Sequence, residues 1–171
     1  WFDLENDGDL DLFVGNYVQW SPDIDFEQGA TLTGIGRAYG QPMNFQGTFP
    51  VLYQNDGNGN FTDISNPSGV QVRNPATDGP VAKSLGVAPV DINADGWMDL
   101  VVANDTVQNF VFENQKDGSF KEIGSMTGIA FDSYGKARGA MGIDSARFRE
   151  DNAVGIGIAN FANEMTALYV G

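Results

Sequence analysis

The chain contains neither cysteine nor histidine. That absence removes disulfides, thiolate and imidazole metal sites, and the Ser-His-Asp and Cys-His pairs of nucleophilic catalysis. Basic residues are scarce: 9 Lys plus Arg stand against 23 Asp plus Glu in 171 residues, a formal charge of −14. A surface that negative repels phosphate backbones and anionic headgroups, so no nucleic acid partner is expected. No apolar run approaches the ~20 residues of a membrane helix, which argues against membrane insertion. Trp1 to Leu10 is acidic and lacks a signal-peptide pattern. Chemistry based on hard, oxygen-ligated metals stays open.

Glycine, by contrast, is plentiful at 22 residues, interleaved with Asn, Asp and short β-branched or aromatic runs. That texture belongs to short strands joined by tight turns. Leu12 to Val18, Val81 to Val90, Asp99 to Ala103, Asn109 to Glu113 and Val154 to Ala159 read as strands. No segment sustains a helical period over three turns.

The strands repeat. Asp3 to Asp11, followed by Leu-Phe-Val-Gly-Asn16, aligns with Asp91 to Asp99, followed by Leu-Val-Val-Ala-Asn104, at an offset of 88 residues throughout. A worn third copy runs from Arg147 to Gly155 and on to Asn160. A partner element repeats as well: Leu52 to Asn55 with Gly59 and Phe61 matches Val111 to Asn114 with Gly118 and Phe120, and Ala167-Leu168-Tyr169 begins another. Each unit reads as inner strand, acidic loop, strand, connection, strand ending in Asn, turn and outer strand, which is a four-stranded antiparallel blade. The expected fold is all-β, a β-propeller fragment of about two and a half blades, where a closed ring needs about four to eight. The first blade spans 1–66, lacks its inner strand and carries a long insert at 17–51. The second, at 67–126, is complete; the third, at 127–171, is incomplete.

The acidic loops carry the chemistry. Asp3, Glu5, Asp7 and Asp11 crowd within nine residues, and like charges that close raise one another's pKa unless a cation neutralises them. Ca²⁺ takes six to eight oxygens, and alternating acidic side chains with glycine in sixth place let a short loop wrap it. Gly8 and Gly96 hold that place. The expected ligands are the Asp3, Glu5, Asp7 and Asp11 side chains with the Asp9 carbonyl, then Asp91, Asn93, Asp95 and Asp99 with the Trp97 carbonyl, making two Ca²⁺ sites. An EF-hand is disfavoured, because Val14 and Val102 stand where its last Glu belongs and a strand replaces the exiting helix. The third loop puts Arg147 and Arg149 at the first and third positions and Gly155 at the ninth. It is expected to bind no calcium, a guanidinium pairing with Asp151 instead.

These features resemble the FG-GAP or VCBS-type repeats of integrin-alpha-like β-propellers, and within them the ASPIC/UnbV-associated proteins. The residues carrying the likeness are Asp3 to Pro22, Leu52 to Phe61, Gly86 to Asn104 and Gly139 to Asp144. The resemblance implies a propeller, calcium in the blade loops and an extracellular, periplasmic or cell-surface location. It implies no reaction, and no catalytic residue is expected. Such proteins often carry cysteines in the insert; here Arg37 to Pro42 has none.

The insert holds Trp20, Phe26, Tyr39, Phe45 and Phe49. It reads either as a surface cover or as a platform for a sugar or peptide, since exposed aromatics suit carbohydrate stacking. Phe61, Phe112, Phe120, Tyr53 and Tyr169 recur at blade positions and read as core. The function expected is a noncatalytic, calcium-binding scaffold for adhesion or recognition of a protein or carbohydrate ligand, its other partners being the remaining blades of the parent chain. The alternative is the propeller platform of a calcium-dependent polysaccharide lyase or hydrolase.

Overall fold

The computed structural model describes residues 1–150 and 153–171. After the first acidic loop the chain forms β1 (Leu12–Val14), then an insert with α1 (Pro22–Gln28) and the short hairpin of β2 (Thr31–Leu32) and β3 (Gly36–Arg37). It returns as β4 (Val51–Asn55) and β5 (Phe61–Asp63), and β1, β4 and β5 make a three-stranded antiparallel sheet. A four-stranded sheet follows in sequential order: β6 (Ser84–Val90), β7 (Asp99–Asn104), β8 (Phe110–Asn114) and β9 (Phe120–Glu122). After the single turn α2 (Gly124–Thr127), β10 (Ala140–Arg147), β11 (Val154–Asn160) and β12 (Ala167–Val170) make a second three-stranded sheet. The fold is all-β and propeller-like, and among the described residues only the middle sheet has four strands.

Strand alternation explains how the sheets stack. Every residue of β7 is buried. Leu100 and Val102 face one core with Phe110 and Phe112, beside Leu4 of the first acidic loop and Phe13 and Leu52 of the first sheet. Val101, Ala103 and Val111 face the other core with Ala140, Ile156 and Ile158 of the third sheet. Successive side chains of a strand point to opposite faces, so a sheet covered on both sides reads as an unbroken apolar run. Phe112 meets Phe110 and Phe120 at centroid distances of 5.5 and 6.3 Å. Phe61 departs from the core expected for it. It is 43% exposed, its ring set edge-on to that of Trp1 at 5.9 Å.

Two departures have local causes. The strand expected to run from Leu12 to Val18 stops at Val14, because Asn16 turns away to accept the Ser84 N–H and Gly15 packs where a Cβ would lie 2.9 Å from that of Ser84. Helix α1 was not expected, since seven residues are too few to show a period. Its ends are nevertheless marked: Ser21 Oγ accepts the Ile24 N–H at 3.2 Å, Pro22 opens the first turn, and Gly29 closes it at φ 56°. Within the insert Phe45 is buried, whereas Trp20, Phe26 and Tyr39 are exposed.

Aspartates hold the outer hairpins. In the turn from β8 to β9, Asp117 Oδ1 accepts the Ser119 N–H at 3.1 Å and its hydroxyl at 2.5 Å. Those bonds hold the Asp117 carboxyl below the usual carboxylate range. Its contribution to stability is therefore present above the unfolded-state value near ~3.9 and is lost as pH falls through the lower folded one. Asp117→Asn is expected to flatten the acid limb of the stability curve below about pH 4, as read by urea unfolding at a series of pH values.

Candidate metal centre

The two acidic loops are wired alike. Asp3 accepts the N–H groups of Asp7 and Gly8 at 3.1 and 3.0 Å, and Asp91 accepts those of Asp95 and Gly96 at 2.9 and 3.0 Å. The wrap depends on left-handed residues at matching places, Asn6 and Ala94 at φ 58° each and Gly8 and Gly96 at φ 91° and 86°. Asp11 closes the first loop by accepting the Leu4 N–H at 2.7 Å and the Asn55 N–H, from β4, at 2.9 Å. Asp99 repeats this with Ile92 at 2.9 Å and Asn114, from β8, at 2.8 Å. Both aspartates are buried, and each ties its loop to the strand, β4 or β8, that pairs with the one following the loop. The loops also meet each other: Asn6 Nδ2 donates to the Gly96 carbonyl at 2.9 Å, and Asn114 Nδ2 to the Leu4 carbonyl at 3.0 Å.

Their electrostatics differ. In the first loop Glu5 Oε2 and Asp9 Oδ1 are buried atoms with no hydrogen-bond partner among the described residues, although Glu5 Oε1 accepts from Gln54 Nε2. Burial, then the neighbouring charges of Asp11, Asp7 and Asp9, push the Glu5 carboxyl up. Asp9 is raised likewise, by burial and then by Asp7 and Asp11. In the second loop Asp95 has a cation beside it: Lys116 Nζ lies 3.1 Å from Oδ2, and Asn93 Nδ2 donates to the same oxygen at 3.1 Å. Burial works against ionisation of Asp95, but the Lys116 bond and the Trp97 N–H outweigh it and hold the carboxyl low.

The repeat explains this difference. Lys116 corresponds to Gly57 at the offset of 59, and both take a left-handed backbone, at φ 66° and 71°. Glycine is at ease there and lysine is not. The second blade thus accepts backbone strain to bring an ammonium to the loop, and the first leaves its loop bare. Lys116, Glu5, Gln54 and Trp97 line one cleft of about 500 Å³ between the first two sheets. Reading the loops alone missed Lys116, but aligning the hairpins of the two blades would have found it.

The family model of the FG-GAP-like repeat matches residues 3–102 and again 91–153. The chain belongs to the FG-GAP-like repeat family. No curated protein matches it. The first match takes in both loops whose wiring repeats, and the second begins at the second loop. Of the ten expected ligands, the structure brings Asp3 with Asp7, Asp91 with Asn93 and Asp95, and Asp11 and Asp99 each to its own loop backbone. Among the described residues no group of three acidic side chains is gathered closely enough to hold a metal ion as the loops stand. The Asp9 and Trp97 N–H groups are drawn in to Asp7 and Asp95 at 3.2 and 2.9 Å.

In the worn third loop, Arg149 lies over the Phe148 ring at 5.0 Å. The pairing expected with Asp151 falls outside the described residues. Arg138 Nε lies 3.8 Å from Asp132, which caps the Lys136 N–H in an exposed turn.

Proposed function

We propose that the chain is a calcium-stabilised, noncatalytic propeller segment of a secreted or surface protein, acting as a scaffold for adhesion or for recognition of a protein or carbohydrate ligand. One observation carries the calcium reading: the first loop leaves two carboxylate oxygens, Glu5 Oε2 and Asp9 Oδ1, buried without a donor. Buried anionic oxygens without partners are costly, and a hard divalent cation is the group that satisfies several at once. The donor set of Asp3, Glu5, Asp7 and Asp11 with the Asp9 carbonyl consists of oxygen throughout, as Ca²⁺ requires. The second set, Asp91, Asn93, Asp95 and Asp99 with the Trp97 carbonyl, is the same in kind, but there an ion competes with the Lys116 ammonium. The first site therefore binds more tightly. The resemblance to integrin-alpha-like and ASPIC/UnbV-associated proteins supports a location outside the cytoplasm.

Calorimetric titration with Ca²⁺ tests this reading. Two binding events are expected, Asp95→Ala removing the weaker and Asp7→Ala the tighter. A partly exposed ion pair is worth ~0.2–1 kcal/mol, so Lys116→Gly, which copies the first blade, should strengthen the weaker event by up to about fivefold. Absence of any binding event would refute the calcium reading.

The enzyme alternative draws on Lys116, the basic side chain that meets an acidic loop in the cleft beside Glu5. Its Nζ is engaged with Asp95 Oδ2 at 3.1 Å. Turnover of an acidic polysaccharide that is lost in Lys116→Gly would favour the enzyme.

A further inference from the structure

The ends of the strands opposite the acidic loops carry a second site. The inner strands β6 and β10 each slip register by one residue, at Leu85 and at Met141. These are equivalent positions in neighbouring blades, and both side chains line one cavity of about 430 Å³. Bulges that re-aim a side chain gather beside functional sites. Thr106, on the same wall, is a β-branched residue held at φ 60°, a conformation that persists only where the surroundings impose it. Met43, from the insert, and Phe161 complete an apolar lining.

Asp105 stands in this wall and is 4% exposed. Its Oδ2 accepts the Tyr17 hydroxyl at 2.5 Å, and Tyr17 and Asp105 occupy matching positions of adjacent blades. Its Oδ1 has no hydrogen-bond donor among the described residues. That oxygen lies 3.0 Å from the point where a Cβ on Gly139 would sit, and Glu164 Oε2 lies 3.7 Å from the same point. Two carboxylates thus converge at Gly139, whose N–H donates to Glu164 Oε2 at 2.8 Å and where a side chain would crowd them. Two cations stand near: Lys83, whose charge acts on Asp105, donates Nζ to the Pro42 carbonyl at 2.7 Å, and Arg138 donates to the Met165 carbonyl at 3.1 Å and flanks Asp132, which leaves Glu164 as the carboxylate with no cation paired to it among the described residues.

We infer that this cavity binds a small organic cation, an ammonium group on an apolar body, with the charge set between Asp105 and Glu164 and the body against Met43, Leu85, Met141 and Phe161. A mostly apolar pocket with a few convergent polar groups is the usual form of a small-molecule site. The Phe161 ring adds the attraction an aromatic face has for a cation.

NMR titration of the 171-residue chain in EGTA, with 2-phenylethylamine as the probe and 2-phenylethanol as its neutral isostere, separates this site from the acidic loops. Saturable binding is expected, at least tenfold tighter for the amine, with shifts at Leu85, Thr106 and Met141. Glu164→Gln keeps an acceptor for the Gly139 N–H but removes the charge; it should cut the amine's advantage severalfold while leaving the alcohol unchanged. Gly139→Ala should weaken both probes, with the amide spectrum away from the cavity unaltered. Equal affinity of the two probes, or an amine preference unmoved by Glu164→Gln, would overturn the inference.

Discussion

Asp99→Ala is expected to destabilise the chain by about 3–4 kcal/mol, whether or not calcium is present. The residue is 1% exposed, and its two oxygens hold the N–H groups of Ile92 and Asn114 at 2.9 and 2.8 Å. Hydrogen bonds to a charged group contribute ~1.5–3 kcal/mol each, and a buried donor left without a partner costs ~1–3 kcal/mol. The Asn114 N–H is buried and bears the full loss; the Ile92 N–H is partly accessible and recovers some of it in water. Burial also pushes the Asp99 carboxyl up, so the ionised group carries a desolvation cost that the mutation relieves, which keeps the net effect below the sum of two lost bonds. Urea unfolding with and without EGTA measures it. A loss that vanishes in EGTA would mean that Asp99 acts through a bound ion instead of through the backbone.

That distinction bears on how much of the molecule could be read in its residues. The offset of 88 was visible because strand alternation and the loop Asp-x-x-x-Asp-Gly are local patterns, and local patterns survive in sequence. By the same pattern Asp11 and Asp99 are expected metal ligands. The structure shows both pinning the loop to β4 or β8, a role that depends on contacts 44 and 15 residues away in the chain. Helix α1 escaped notice for a different reason. Its signal is a cap and a terminal glycine, not a period, and it lies in an insert that the repeat does not template. The cavity under Leu85 and Met141 was hidden altogether, because a bulge is a change of register between strands and leaves no mark in either strand alone. Tyr17 and Asp105 illustrate the same limit. Their correspondence at an offset of 88 could be counted, but their hydrogen bond follows from two blades lying side by side.

Withdrawal of calcium is expected to give the second large effect. In millimolar Ca²⁺, a site with the ~0.1 mM affinity of extracellular modules contributes about 1.4 kcal/mol, so two contribute about 3 kcal/mol. For a domain of this size each kcal/mol moves the melting temperature by ~2–4 °C, and EGTA is therefore expected to lower it by about 6–11 °C. Two bound ions would also bring the formal charge from −14 to −10, which relieves the self-repulsion of a chain with so few bases. Screening alone would do part of that, so 150 mM NaCl in EGTA serves as the control. Salt shortens the reach of exposed charges to ~8 Å but supplies no ligand to a buried Glu5 or Asp9 oxygen, and it should restore only a minor share of the loss. The loops should differ in the same measurement. Asp7→Ala, which disables the tighter site, is expected to remove more of the calcium-dependent shift than Asp95→Ala, because in the second loop Lys116 already neutralises part of what the ion would. A melting temperature indifferent to EGTA would leave the loops held by their own N–H groups and by Lys116, with no ion in either.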